Sequence, residues 1–448
     1  MAPPAQICHT NNGDSPNAVA AIRVVAKETP PPPPRSASLL DADEFRRHGH
    51  QVIDLIADYY ANMGSYPVHP SVNVVPFTWA ASPAATELEM VSVTWLGKAL
   101  HLPENLLFCG GGGGTLLGTS CEAILCALVA AREKKLAEIG GKRIGDLAAR
   151  IAGIHRDNCR EIPTRRDSEF AMSAVDLSAA MKDDVDTGLV LLLVCATIGT
   201  TQTAAVDPVS DICAVAAAHG AWVHVDAAYA RSVLVCPEFR HLADGVEAAD
   251  SFSMNAHKWL LANTDCCALW VRQPALLVAA LGTEQEYILK DAAAEGHDVV
   301  DYKDWSVTLT RRLRALKLWL VLRCHGVEGL REHVRAHVRM ATSFETMVRA
   351  DERFEVAARR QFALVCFRLR SPEKLGGEKT ANEINRRLLE EVNATSSGPY
   401  MSSAKVGGVY MLRCAIGSTL TEDGHLTEAW KVVQDRAADI LGKLKSTR

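Results

Sequence analysis

The chain has 448 residues, of which 48% are hydrophobic, and it carries 48 basic against 53 acidic side chains. A chain of this length can form two or three domains around a substantial core. The near balance of charge, with no long run of either sign, argues against a nucleic-acid or membrane-surface partner. We therefore expect an enzyme that acts on a small molecule.

The 13 cysteines form no C-x-x-C pair and follow no secretory signal, so neither a disulfide framework nor a zinc site is expected. The most apolar run, 188–196, is shorter than the roughly 20 residues that span a bilayer. No targeting signal is readable near the N-terminus. We expect a reduced, cytoplasmic setting and no membrane partner.

The first predicted element is a disordered tail over residues 1–36, which are polar or small and end in a run of five prolines. Asp41 with Glu44 then resembles a capping box, and apolar residues follow at helical spacing. This pattern predicts a helical segment within 37–72, of the kind that covers another part of the fold or a second subunit.

Residues 73–304 alternate helical patterns with short apolar runs. Helices are predicted at 83–100 and 121–139, and strands at 189–195, 221–225 and 266–271. Such alternation is typical of an α/β domain with a mainly parallel sheet, whose ligands bind at the carboxyl ends of the strands.

Residues 305–448 predict a smaller C-terminal α/β domain. Its helical patterns lie at 311–324, 329–351 and 426–444, and its strands at 364–369 and 409–416.

The most specific chemical pattern lies in two short segments, 224–229 and 255–259. Asp226 closes an apolar strand and Lys258 stands just before the next one, so both can meet at one edge of a sheet. A lysine amine can bond covalently to pyridoxal 5'-phosphate (PLP), and a carboxylate can keep the pyridine nitrogen of that cofactor protonated. Small residues around Ala228 leave a flat space for a ring. Solvated charges at a strand end are the alternative interpretation.

A glycine run at 110–114, followed by Gly118 and a helical pattern, is a candidate phosphate site. Glycine allows close approach of the backbone, and a helix N-terminus offers free N–H groups. The spacing imitates an ATP-binding P-loop, but Thr119-Ser120 stands where Lys-Ser/Thr is required. We therefore expect the phosphate of PLP here, with a plain flexible turn as the alternative.

Read together, these residues resemble the group II PLP-dependent decarboxylases, specifically the plant tyrosine and tryptophan decarboxylases. The resemblance extends from about Leu40 to the C-terminus and includes 77–89, 196–201 and Asp304-Trp305. It implies the aspartate aminotransferase-like fold (fold type I) and a homodimer. It also implies decarboxylation of an aromatic L-amino acid to an arylalkylamine and CO2.

The resemblance further implies a set of cofactor residues. Lys258 would be the Schiff-base lysine, Asp226 the partner of the pyridinium nitrogen, and His257 a catalytic residue bordering the site. Ala228 would pack against one face of the ring, and the remaining cofactor-binding positions would be Ser120, Cys121, Thr201 and Asn255.

Three further positions concern the substrate. Tyr287 matches the tyrosine of a mobile catalytic loop, which would support protonation of the α-carbon; related aldehyde synthases tend to carry Phe there, so Tyr favours decarboxylation. Phe77 would line the aromatic pocket. Thr310 lies where indole-preferring members tend to carry Gly and phenol-preferring members Ser, so its hydroxyl favours tyrosine or dopa over tryptophan.

Two stretches that the family carries are absent from this chain. One belongs between Val72 and Asn73, where the family builds part of the substrate pocket and dimer interface. The other belongs between Leu147 and Ala148, where the family has a strand and a histidine that stacks on the PLP ring. His155 has a different context and is not expected to replace that histidine. Loss of a central strand is expected to expose unpaired backbone groups.

Two other functions stay open on the sequence alone. One is an aromatic aldehyde synthase or another PLP decarboxylase. The other is a truncated, non-catalytic isoform that retains Lys258 and lacks the segment carrying the stacking histidine.

Overall fold

The structure is a computed structural model that describes residues 42–62, 82–140, 154, 158–282, 300–370, 377–396 and 398–446. The chain divides into two units, Met1–Met63 and Gly64–Arg448. In the first unit, helix α1 covers Ala42–Asn62 and confirms the predicted helix. The predicted tail, the two junctions at 72/73 and 147/148, and His155 lie outside the described residues.

The second unit contains a five-stranded mixed sheet. Its strands are β1 (Gly113–Leu117), β2 (Leu193–Thr197), β3 (Trp222–Asp226), β4 (Ser251–Asn255) and β5 (Cys267–Val271). The order across the sheet is β1-β5-β4-β3-β2. Strands β2, β3 and β4 pair in parallel, and β5 pairs antiparallel with β4 and with β1. Among the strands that the structure describes in this sheet, β5 alone is reversed, so the prediction of a mainly parallel sheet is confirmed.

Both faces of this sheet are covered, because alternate residues of one strand belong to different cores. Cys267 and Leu269 of β5 pack in one apolar cluster, whereas Ala268 and Trp270 pack in the other. Strands buried on both faces are expected to read as continuous apolar runs, as β5 does. The surrounding helices are α2 (Pro83–Ala99), α3 (Ser120–Glu138), α4 (Ala174–Asp186), α5 (Val209–Ala217), α6 (Ala256–Trp259) and α7 (Pro274–Leu281).

The C-terminal part forms an antiparallel sheet with long helices. The strands are β6 (Phe354–Gln361), β7 (Leu364–Leu369), β8 (Ser402–Val406) and β9 (Val409–Ala415), in the order β6-β7-β9-β8. The helices are α8 (Arg314–Ala350), α9 (Gly377–Asn393) and α10 (Asp423–Ser446). Helix α8 is interrupted at Gly326 (φ 61°, ψ 177°), between the two predicted helical patterns. The domain boundary at 304/305 stays a prediction.

Strand β2 is the edge of the larger sheet in the part of the chain that is described. Its hydrogen bonds to β3 use the Leu192 carbonyl, bonded to Trp222, and the Ile198 N–H, bonded to Asp226. The backbone groups of Leu193 and Cys195 therefore point away from β3, and no described residue bonds to them. A cavity of about 990 Å³ lies beside this edge.

This cavity is lined mainly by apolar side chains. They come from α3, α4, β2 and the segment before α4, and include Leu128, Phe170, Leu177, Met181 and Leu193.

Among the described helices, none is long and apolar enough to cross a membrane.

Candidate active site

Asp226 is the last residue of β3, where an apolar strand reaches the edge of the sheet. It is half-buried, and its Oδ1 accepts a 2.9 Å hydrogen bond from the Ala228 N–H. Its second oxygen has no hydrogen-bond partner among the described residues. Burial raises the pKa of Asp226, while the hydrogen bond from Ala228 and the charge of Lys258 lower it. A partly desolvated carboxylate with a free oxygen is suited to receive a cationic N–H.

Lys258 lies in α6, the single turn that follows β4. Its side chain is exposed, and its charge acts on the carboxylate of Asp226. The two residues occupy the carboxyl ends of adjacent parallel strands. The structure therefore brings together the two residues on which the sequence interpretation chiefly rests.

Asn255 and Ala228 connect the two strand ends. Both are buried, and the Asn255 N–H donates to the Ala228 carbonyl over 3.2 Å. The Asn255 side-chain oxygen is buried and has no hydrogen-bond partner in the described part of the chain. Buried polar atoms are rarely left unpaired, so this oxygen points to a missing donor.

His257 is half-buried beside Lys258. Its Nδ1 accepts a 2.9 Å hydrogen bond from the Cys266 N–H, which attaches α6 to the start of β5. Burial lowers the pKa of His257, so the neutral ring is favoured. This hydrogen bond lets His257 stabilise the turn of α6 that carries Lys258. A catalytic role of His257 stays a prediction.

The N-terminus of α3 supplies the candidate phosphate site. Thr119 caps the helix, its hydroxyl accepting from the Glu122 N–H at 3.4 Å. Ser120 and Cys121 are the first helical residues, so their N–H groups lack intrahelical partners. The Gly118 N–H is already bonded to the Glu122 carboxylate at 2.8 Å.

The glycine run does not form the phosphate loop that its composition suggested. Gly113 and Gly114 begin strand β1, and only Gly118 and Thr119 separate that strand from α3. A Cβ on Gly114 would lie 2.7 Å from the Trp270 ring. This glycine is therefore required by close packing against β5, which the sequence pattern alone could not distinguish from phosphate binding.

Helix α3 packs against β3, β4 and β5, and a charge in its first turn acts on the same thiol as Asp226. The pKa of the Cys267 thiol is raised first by burial, and further by the carboxylates of Asp226 and Glu122. A charge at the end of β3 and a charge in the first turn of α3 thus act on one thiol.

The other predicted residues are more peripheral or not described. Thr201 is exposed in the turn after β2, and Thr310 is exposed ahead of α8. Phe77 and Tyr287 lie outside the described residues, so their roles stay predictions.

One buried ion pair near the site was missed by the sequence analysis. Glu89 of α2 accepts hydrogen bonds from the Thr115 hydroxyl (3.0 Å), the Leu116 N–H (2.8 Å) and Arg311 Nη2 (2.6 Å). Arg311 follows Thr310 directly, so the pair attaches that segment to β1. The available signal was an acidic residue within the otherwise apolar face of α2.

Asp207 was also missed. Its two carboxylate oxygens accept hydrogen bonds from Thr197 and Met172, both at 2.7 Å. It therefore fixes the end of β2 from which the Thr201 turn departs.

The described residues fit PLP on several sides. Asp226 has a carboxylate oxygen available for the pyridine N–H, and the amine of Lys258 lies close enough for its charge to act on that carboxylate. Ala228 is small enough to leave space for the ring. The unpaired oxygen of Asn255 and the free backbone N–H groups of Ser120 and Cys121 are further polar groups that the cofactor could bind. Together with a mostly parallel sheet covered on both faces, this arrangement defines a PLP-dependent enzyme of fold type I.

The chain belongs to the pyridoxal-dependent decarboxylase family, whose conserved domain matches residues 46–146 and 144–370. Its cofactor is therefore PLP.

Similar proteins include a tyrosine decarboxylase of Oryza sativa subsp. japonica, 62% identical over 99% of this chain and 100% of that protein. Among solved structures, TDC of Oryza sativa with PLP and tryptamine is 38% identical, with a TM-score of 0.78. The 4-hydroxyphenylacetaldehyde synthase of Rhodiola rosea is 37% identical, with a TM-score of 0.74. Each of the two structural matches covers 90% of this chain and 100% of the other.

The comparisons also indicate where this chain is shorter. The match to the rice tyrosine decarboxylase runs over 532 aligned positions, whereas this chain has 448 residues. The two family matches meet at 144–146, next to the predicted junction at 147/148. This interruption agrees with the expected absence of a segment after α3.

Proposed function

We propose that this chain decarboxylates an aromatic L-amino acid, with tyrosine or dopa preferred over tryptophan, to the arylalkylamine and CO2. The observation that carries the proposal is the placement of Asp226 and Lys258 at the ends of adjacent parallel strands, within electrostatic reach of each other.

PLP, when bound, supplies an electron sink for the bond that breaks at the α-carbon. Asp226 would hold a proton on the pyridine nitrogen, since its negative charge favours the protonated ring. Lys258 would bind the cofactor covalently and, once released by substrate, could carry a proton at Nζ. Ala228 and Asn255 would bound the ring space, and Ser120 and Cys121 would donate backbone N–H groups to the phosphate.

The substrate preference is supported by two features. The rice relative with 62% identity is named a tyrosine decarboxylase, whereas the protein solved with tryptamine is 38% identical. Thr310 presents a hydroxyl on an exposed segment that the Glu89–Arg311 pair holds in place. Phe77 would line the aromatic pocket, and Tyr287 would return a proton to the α-carbon.

A homodimer is part of the proposal. Leu313, Leu316 and Leu320 are exposed at helical spacing at the start of α8, and Trp95 is exposed on α2. Helix α2 packs against α8, with Ser92 of α2 lying 3.5 Å from the Ala315 carbonyl. An exposed apolar surface of this kind is typical of a subunit interface.

A cytoplasmic location is supported by the cysteines. Those in the described part of the chain form no disulfide, and burial raises the pKa of several, including that of Cys126 to about 12. This number of cysteines without a disulfide suits a reducing compartment.

The deciding experiment incubates purified protein and PLP with tyrosine, dopa, tryptophan and phenylalanine, and measures amine, CO2, aldehyde and peroxide. We expect amine and CO2, fastest with tyrosine or dopa. Lys258→Ala should abolish turnover and the absorption band of the lysine-bound cofactor, while Lys182→Ala, on the exposed face of α4, should change neither.

Two other outcomes would each overturn the proposal. Aldehyde with ammonia and peroxide would assign the chain to the aldehyde synthases. Absence of any lysine-bound cofactor band in the unmodified protein would support the non-catalytic isoform.

A further inference from the structure

The helical turn that carries Lys258 is too short to be stable without contacts to the rest of the fold. Helix α6 has 4 residues, and the Leu260 N–H bonded to the Ala256 carbonyl at 2.9 Å closes its one turn. A single helical turn is unstable alone, because several dihedral angles are fixed for one hydrogen bond. The position of Lys258 must therefore depend on the contacts of its neighbours, of which His257 is bonded to Cys266.

The neighbour on the other side, Trp259, is anchored to α8. Its side chain is 2% exposed, and its indole Nε1–H donates to His337 Nδ1 over 2.8 Å. An indole nitrogen can only donate, so Nδ1 must be the unprotonated nitrogen of His337. Burial lowers the pKa of His337, which favours the neutral ring that this bond requires.

The same indole also contacts the segment that follows Asp226. The Tyr229 ring stacks on Trp259 with centroids 5.2 Å apart and an interplanar angle of 10°. Trp259 belongs to the turn of α6 that carries Lys258, and its side chain contacts both the segment after Asp226 and helix α8. Of the contacts that described residues make with the indole ring, the hydrogen bond to His337 is the directional one, so it sets how the ring lies between α6 and the segment after Asp226.

We propose that His337 is a positioning residue for Lys258. By accepting the indole proton of Trp259, it fixes the turn of α6 and so holds the Lys258 amine opposite Asp226. The proposal rests on the cofactor role of Lys258. His337 acts through Trp259 and is not itself a catalytic residue.

The first test needs no cofactor. Hydrogen exchange of the backbone amides in 254–262 is followed by mass spectrometry in cofactor-free protein, for wild type, His337→Leu and His337→Gln. Leucine removes the acceptor, whereas the glutamine amide can still accept from Trp259. We expect exchange about tenfold faster in His337→Leu, as loss of one buried hydrogen bond allows, and close to wild type in His337→Gln.

The second test is a double-mutant cycle on cofactor binding. His337→Leu and Trp259→Phe should each weaken PLP binding about tenfold and shift the absorption of the lysine-bound cofactor. The double variant should be no worse than either single variant, because both remove the same bond.

Phe344→Leu is the matched control, since Phe344 is a buried residue of α8 that packs against Phe367 and Trp430 instead of Trp259. It should leave exchange in 254–262 and cofactor absorption unchanged. The proposal is overturned if Phe344→Leu has the same effects, if His337→Gln fails to restore slow exchange, or if the cycle is additive. Should His337→Leu not fold, Trp259→Phe must still accelerate exchange. Failure of wild type to bind PLP would refute the proposed function and leave the exchange result standing.

Discussion

Arg231 is a charged side chain without a charged or hydrogen-bonding partner in the described part of the chain. It is fully buried, none of its guanidinium nitrogens has a hydrogen-bond partner there, and it lies 4.0 Å from the centroid of the Phe252 ring. Burial lowers its pKa well below the usual value. A buried cation without a carboxylate is costly, and a cation–π contact recovers only about 2 kcal/mol.

We therefore predict that Arg231→Met stabilises the protein. Methionine keeps the length of the side chain and removes the buried charge, so the free energy of unfolding should rise by about 1–3 kcal/mol. Urea denaturation measures the change. Arg359→Met, at an exposed ion pair with Glu169, serves as the control and should change stability by under about 1 kcal/mol. A loss of stability in Arg231→Met would show that the guanidinium is favourably bound.

A second residue-scale prediction concerns His224. It is fully buried, its ring nitrogens lie 2.8 and 3.1 Å from the hydroxyls of Ser251 and Ser253, and burial lowers its pKa to about 3. The pKa of a histidine in an unfolded chain is about 6.5. Below that pH the histidine is protonated in the unfolded chain but stays neutral in the folded protein. The contribution of His224 to the free energy of unfolding is therefore complete above that pH and is lost as the pH falls towards 3.

The expected slope is up to about 1.4 kcal/mol per pH unit for this group. Urea denaturation between pH 7 and pH 5 should show it, and His224→Gln should reduce the slope by that amount at the cost of some overall stability. His241→Gln, at an exposed position, should leave the slope unchanged. An unaltered slope in His224→Gln would refute the prediction.

At the scale of elements, the sequence predicted what local chemistry determines. Helices were predicted at 83–100 and 121–139, within one residue of the observed bounds of α2 and α3, and β7 was predicted at its observed bounds. Strand β2 was placed too early, because 189–192 is as apolar as the strand itself. The mainly parallel sheet was predictable from the alternation of helical and apolar patterns, and fold type I from the resemblance to the group II decarboxylases. The Asp226–Lys258 pair was predictable because each residue follows an apolar or strand-like segment at one edge of the sheet.

Strands β1, β4, β6 and β8 escaped prediction, and for β1 and β4 the structure shows the physical reason. Strand β1 begins with Gly113 and Gly114, which have no side chains to show a period. Strand β4 contains Ser251 and Ser253, buried polar residues whose hydroxyls are hydrogen-bonded to His224 and, for Ser251, also to Trp222. Partners distant in the sequence, such as Glu89 and Arg311, were likewise invisible until the fold brought them together.

The Glu89–Arg311 pair yields an element-scale prediction. Glu89→Gln removes the charge that compensates a mostly buried guanidinium, so it should destabilise the protein by about 3–5 kcal/mol. Thermal or urea unfolding measures this loss. Glu87→Gln, exposed on the same helix, should have little effect, and Glu89→Leu combined with Arg311→Met should recover part of the loss. Equal effects of Glu87→Gln and Glu89→Gln would contradict the prediction.

At the scale of the whole molecule, three observations coincide. Strand β2 leaves backbone groups of Leu193 and Cys195 without partners among the described residues, and a cavity of about 990 Å³ lies beside it. Helix α3 lines that cavity and ends at Glu138. The family match is interrupted shortly afterwards, at 144–146. We therefore predict that the segment expected between Leu147 and Ala148 would pair with β2 beside this cavity.

We therefore predict that restoring the segment stabilises the protein and tightens PLP binding. Inserting the corresponding residues of the rice tyrosine decarboxylase between Leu147 and Ala148 should fill apolar space beside Leu128 and Leu193 and pair the edge of β2 that no described residue pairs. Each kcal/mol gained should raise the melting temperature by roughly 2 °C in a chain of this size, and PLP should bind more tightly. A Gly/Ser insert of equal length is the control, because it adds chain without apolar or β-forming side chains. Edge pairing should also reduce self-association on concentration, measured by light scattering. If the Gly/Ser insert stabilises the protein as much as the rice segment does, the open edge is not the defect.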